Sequence, residues 1–204
     1  MTDYMDVMNR SRRENGFKTI DELIVLSNDN TVFDLFSVLI GASVEIGSGN
    51  MIYPNVLIQA TNGKVMIGEE NIFYSGTRIL SEGGEIVIGS KNEIGEQSAG
   101  IKSVNDRIEI KDECRVMSGA QIGDGCYLGN GAQVLGTIRM TRCILLDGKS
   151  YRERNPNKRG GVLKGSGVAG DLSVGVGMVI SGNGHFSIND LVPQERNHPN
   201  WMNE

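Results

Sequence analysis

An aliphatic residue returns every six positions along much of this chain, and few architectures accommodate that period. Ile40, Ile46, Ile52 and Ile58 form one run, and Ile110, Val116, Ile122, Leu128 and Val134 form another. Val162, Val168, Val174, Ile180 and Phe186 continue it. A helix repeats its apolar face every 3.6 residues and a half-buried strand every second residue, so neither explains the spacing. Short strands meeting at tight corners do explain it. Three hexads then make one turn of a triangular prism, and the aliphatic series stacks as its core. Glycine often follows the aliphatic, as at Gly41, Gly47, Gly89, Gly123 and Gly129, and relieves the corners. The chain has 28 glycines in 204 residues, about twice ordinary usage.

A second period fixes the winding. Ile46, Ile67 and Ile88 are 21 residues apart, as are Asn50, Asn71 and Asn92. Twenty-one is three hexads plus three, so one corner carries an insertion on successive turns, near Thr61–Lys64, Glu82–Glu85 and Ser103–Arg107. With turns about 4.8 Å apart, the three asparagines are placed to form an amide ladder.

These hexads resemble the hexapeptide-repeat, left-handed parallel β-helix superfamily, over residues 38–146 and again over 162–186. The resemblance implies an all-β, left-handed parallel β-helix, commonly trimeric, whose members include acyltransferases, zinc carbonic anhydrases and non-catalytic subunits. The stretch from Arg78 to Gln97 is also similar to the small pointed-end subunits of dynactin. The expected organisation is an N-terminal cap over 1–37, with a helix over Asp3–Glu14, and a β-helix over 38–146. A basic external loop follows over 147–161, then the last turns over 162–188 and a tail over 189–204 anchored by Trp201.

Composition narrows the function classes. Twenty-five acidic and twenty basic residues give a net charge of −5, against general nucleic-acid binding. No apolar run reaches membrane-span length, and the N-terminus lacks the apolar stretch of a secretory signal. Three cysteines without a CxxC pair suit a reducing compartment, so a cytoplasmic setting is expected.

The candidate chemistry rests on few residues. Two histidines, His185 and His198, cannot supply the three-histidine zinc site of the carbonic anhydrases, and no metal is expected. Acyltransferases of the superfamily use a histidine to take the acceptor's proton, which makes His185 in SGNGHF the candidate base and leaves His198 as a tail residue. Glu96, Asp112 and Asp124 are the carboxylate alternatives. Cys114 and Cys126 occupy small-residue hexad positions and read as core. Between Arg139 and Lys164 lie eight Lys or Arg and two acidic residues. There, Arg152, Arg154, Lys158, Arg159 and Lys164 are candidates to hold the phosphates of an acyl-CoA co-substrate, or to dock an acidic protein surface. GSGVAG at 165–170 matches a dinucleotide fingerprint, but the hexads run straight through it and no helix pattern follows.

Two functions follow as expectations. One is a homotrimeric acyltransferase moving an acyl group from acyl-CoA to a small-molecule or sugar hydroxyl or amine. The other is a non-catalytic scaffold or capping subunit of a larger assembly.

Overall fold

The computed structural model describes residues 4–198. It is an all-β parallel solenoid of about seven coils with two short helices, consistent with the left-handed winding of the hexad-repeat class. Each coil lays one short strand on each of three faces. The first face stacks Thr31–Val32, Met51–Ile52, Ile72–Phe73, Glu93–Ile94, Arg115–Met117 and Gln133–Leu135 in parallel register. The second runs from Leu39–Ile40 to Ile138–Thr141, and the third from Glu45–Ile46 to Ser173–Val174. The long strand Val162–Gly170 turns a corner, pairing with the first face at one end and the second at the other. Met178–His185 follows it in register, and Leu191–Pro193 closes the stack as an antiparallel edge.

The hexad aliphatics supply the core. Ile40, Ile52, Ile58, Ile110, Val116, Ile122, Leu128 and Val134 are all buried in one continuous cluster. Burying each such side chain contributes about 1.5–3 kcal/mol. The expected series fails in one coil. Val168 is 47 % exposed, whereas Leu163 and Ala169 are buried and pair with the core residues Val134 and Met140. The cause is a shortened corner: Met140 to Leu145 and Ala169 to Val174 are five-residue steps, with Arg142 and Asp171 at positive φ. Arg142 clamps that corner on Asp171 through a two-pronged ion pair at 2.7 and 2.8 Å.

The amide ladder is present and longer than expected. Asn30 Oδ1 accepts from Asn50, Asn50 from Asn71 and Asn71 from Asn92, and Asn92 Oδ1 takes the Cys114 backbone N–H. At the N-terminal end, Tyr4–Glu14 is helical as expected, and Ile20–Leu26 forms a second helix behind a capping box of Thr19 and Glu22. The buried Arg12 pins this cap to the carbonyls of Lys18, Leu35, Phe36 and Val38. Strand pairing begins at Thr31, within the segment assigned to the cap. Trp201 lies outside the described residues. Among those residues no helix is long and apolar enough to cross a membrane.

Candidate functional site

Because strands alternate their side chains, each coil presents outward positions that stack into columns. One column of the first face reads Ile72, Glu93, Arg115, Gln133, Val162 and Val179. Its neighbour reads Met117, Leu135, Lys164 and Ser181. Residues 147–161 leave the third face and fold across these columns. A bridge between Lys149 and Arg159 closes the base of the loop, a 3-10 turn at Pro156–Lys158 shapes it, and Ser150, Pro156 and Gly160 are buried. The segment expected to be external therefore roofs one face.

Under that roof lies a cleft of about 370 Å³. Its floor is Arg115, Gln133, Leu135, Val162, Lys164 and Val179; Tyr151 and Arg159 form the loop side, and Gln194, Asn197 and His198 the tail side. Two guanidinium groups lie over the Tyr151 ring, that of Arg115 4.3 Å and that of Arg152 4.6 Å from its centroid. Its hydroxyl donates to Glu93 Oε1 at 2.9 Å, and burial, followed by that bond, raises the phenol's pKa. Glu93 also pairs with Arg152 at 3.0 Å. Arg115 Nε lies 3.5 Å from Glu93 Oε2, and this buried N–H has no hydrogen-bond partner among the described residues. Arg159 donates Nε to the Glu153 carbonyl at 2.7 Å, and its Nη1 lies 3.3 Å from His198 Nε2. Partial burial lowers the Arg159 pKa, with Glu153 working against the shift.

The five basic candidates thus separate. Arg159 and Lys164 line the cleft, Arg152 is engaged with Glu93 above it, and Arg154 and Lys158 are exposed and not part of its lining. His185 is exposed at the far end of Met178–His185, where it stands beside Val168 on the second face. About 13 Å of extended strand separates it from Ser181, the residue paired with Lys164. Between them the outward side chains are short, Ser166 donating to Asn183 at 2.8 Å, and Gly165, Gly167, Gly182 and Gly184 contribute none. Gly167 requires its lack of a Cβ: at φ +142° an added carbon would collide with the Gly184 carbonyl.

Two carboxylate alternatives hold backbone. Asp112 Oδ1 accepts from Ser90 N at 2.7 Å, and Asp124 gathers the N–H groups of Val104, Asn105 and Asp106. Glu96 is exposed away from the cleft lining. The cysteines are buried and free, and desolvation pushes the Cys114 and Cys126 thiols up to about 12, far from nucleophilic use. Among the described residues no three His, Cys, Asp or Glu side chains converge as a metal site would require.

Sequence reasoning missed Arg115, Tyr151 and Gln194 and set His198 aside. A signal existed for Arg115, which follows Cys114 in an otherwise ordinary hexad and so carries its charge on an outward strand position. The others come to the cleft only through the folding of loop and tail.

No family model and no curated protein matches the chain. A solved structure of the UDP-N-acetylglucosamine acyltransferase of Francisella novicida is 16 % identical over 79 % of this chain and 72 % of that one, with a TM-score of 0.26. Similarity at that level carries no function across.

Proposed function

We propose that this chain transfers an acyl group from acyl-CoA to a hydroxyl or amine of a small molecule or sugar. The carrying observation is that Lys164 of the cleft and His185 lie on one pair of strands, Val162–Gly170 and Met178–His185. Arg115, Arg159 and Lys164 hold the donor's phosphates, where charge-assisted bonds in a half-enclosed cleft are stronger than on open surface. The run of Ser166, Ser181, Asn183 and glycines, which follows these strands around the corner between the two faces, then receives the donor's extended amide-bearing arm. The thioester is delivered to His185. There the imidazole takes the acceptor's proton as the acceptor attacks the carbonyl carbon; the C–S bond breaks, and the thiolate leaves with that proton. In this reading Arg152 acts on the cleft through Glu93 and Tyr151, while exposed Arg154 and Lys158 attract the anion from solution.

Calorimetry with coenzyme A tests the binding half. Lys164→Ala is expected to weaken binding about tenfold, with the melting temperature nearly unchanged, because Lys164 is exposed and makes no contact on which the fold depends. Failure of the wild-type protein to bind coenzyme A at millimolar concentration would remove the reading. Loss of acyl transfer without loss of binding in His185→Gln tests the chemical half.

A second reading, a non-catalytic assembly subunit, draws on the opposite end of the same face. Phe33 and Phe36 are 51 % and 59 % exposed; Phe33 meets Tyr53 in a tilted contact with ring centroids 4.6 Å apart, and Tyr53 stacks on Tyr74 at 5.5 Å. Such an aromatic surface suits a protein neighbour, whether a second copy in a homotrimer or a foreign subunit. Sedimentation of the wild type beside Phe36→Ser distinguishes self-association from a surface awaiting another partner.

A further inference from the structure

We infer that a notch at Gly123 on the second face is a binding site for a small organic phosphate, one that carries an apolar group beside its charge. The site is separate from the cleft and does not depend on the acyl-transfer reading. The notch follows from the stacking of outward positions into columns. Ile101, Ile122 and Met140 are paired, buried residues of three successive coils, so the next positions, Lys102, Gly123 and Thr141, stack outward. Glycine leaves the middle of that column without a side chain. Gln121 and Arg139, two residues back on the same strands, pair in the neighbouring outward column. Val104, in the corner excursion, completes the lining; its N–H and those of Asn105 and Asp106 are held by the Asp124 carboxylate. The cavity so bounded is about 320 Å³, at the lower end of the range for small-ligand sites.

The lining sets the ligand class. Arg139 is exposed, and no hydrogen bond or ion pair engages it among the described residues. Lys102 pairs with Glu82 at 2.8 Å, but both groups are about half exposed, and so open a pair is readily exchanged for a stronger anion. The carboxylate in the lining, Asp124, is committed to three backbone N–H groups, which share its charge. A guanidinium and an ammonium lining one cavity suit a phosphate monoester, which brings nearly two charges and three acceptor oxygens. The rest of the lining is apolar. Val104 is 39 % exposed, and the stems of Lys102 and Arg139 add methylene surface. Inorganic phosphate leaves that surface wet, whereas a monoester with an apolar substituent covers it.

Amide NMR on the full chain reads the site at the Val104 and Gly123 N–H groups, with phenyl phosphate and inorganic phosphate as probes. Both are expected to shift these signals at millimolar concentration, phenyl phosphate binding about five- to tenfold more tightly. Arg139→Gln is expected to weaken both about tenfold, with the melting temperature nearly unchanged because the side chain is exposed. Val104→Ser is expected to weaken phenyl phosphate alone, and Lys164→Ala, in the cleft, to leave the titration at the notch as it is. Silence of Val104 and Gly123, whether or not a probe binds elsewhere, overturns the site; so does an Arg139→Gln protein that titrates like the wild type. Equal affinity for the two probes overturns the choice of an organic phosphate. Coenzyme A binding without phenyl phosphate at the notch removes this inference and leaves the acyl-CoA reading standing; the converse result does the reverse.

Discussion

Asn71 Oδ1 accepts two hydrogen bonds from Asn92, one from its backbone N–H and one from its side-chain Nδ2, each at 2.9 Å. One rung of the buried ladder therefore accepts from both the backbone and the side-chain nitrogen of the next. Asn71 Nδ2 in turn donates to Asn50 Oδ1 at 3.0 Å and to the Gly89 carbonyl at 2.9 Å. Asn71→Ala leaves the Asn92 backbone N–H and Nδ2 without this acceptor in a dry corner and removes the side-chain donor to the Gly89 carbonyl, while Asn50 Oδ1 keeps the backbone N–H of residue 71. The expected loss is about 2–4 kcal/mol, from more than one orphaned polar group at about 1–3 kcal/mol each. Urea unfolding measures it, and an unchanged midpoint would mean the ladder does not stabilise the corner.

Arg12 binds the Lys18 carbonyl within the cap and joins the cap to the first coil through three more, those of Leu35, Phe36 and Val38. Arg12→Met keeps much of the stem's packing but leaves those oxygens without their donor. Loosening is expected first in residues 4–26, seen as faster amide exchange there, while the ladder residues remain protected. Uniform exchange throughout the chain would show that the cap and coils unfold as one unit.

The cysteines are expected to be silent in the native protein. With the Cys114 and Cys126 thiols at about 12 and Cys143 also raised by burial, little thiolate exists at pH 8. Iodoacetamide is expected to label none of the three until denaturant is added, and then all three. Rapid native labelling at Cys114 would contradict its buried placement.

Glu22 supplies a pH dependence of known sign. The Thr19 backbone N–H, then the Thr19 hydroxyl, hold its carboxyl below the ordinary range. A carboxylate whose folded pKa is depressed stabilises the fold above its unfolded pKa, and that contribution fades as pH falls through the folded value. The urea midpoint gap between wild type and Glu22→Gln is therefore expected at neutral pH and to shrink in acid. A gap independent of pH would show that the carboxylate charge plays no part.

The coils were legible because their rules are local: one inward aliphatic per six residues, a glycine or small residue at the corner, an asparagine per turn. Asn30 escaped because it precedes Asn50 by twenty residues and lies before the first clear hexad. Val162 and Val168 misled for a related reason. A five-residue step at the Arg142 and Asp171 corners shifts the register by one, turning Leu163 and Ala169 inward. The second helix carried a readable signal in Thr19 and Glu22, a capping box ahead of an apolar run. The cleft carried none of comparable strength. Arg115, Tyr151, Lys164 and His198 are distant in sequence and meet because coils stack, a loop folds across one face and the tail returns.

The most direct test of the acyl-CoA account is a crystal structure with coenzyme A bound. The account predicts donor phosphates against Arg115, Arg159 and Lys164, the arm along Ser181–Asn183, and the sulfur beside His185. Coenzyme A phosphates seated elsewhere, with Arg159 still held by His198, would contradict it.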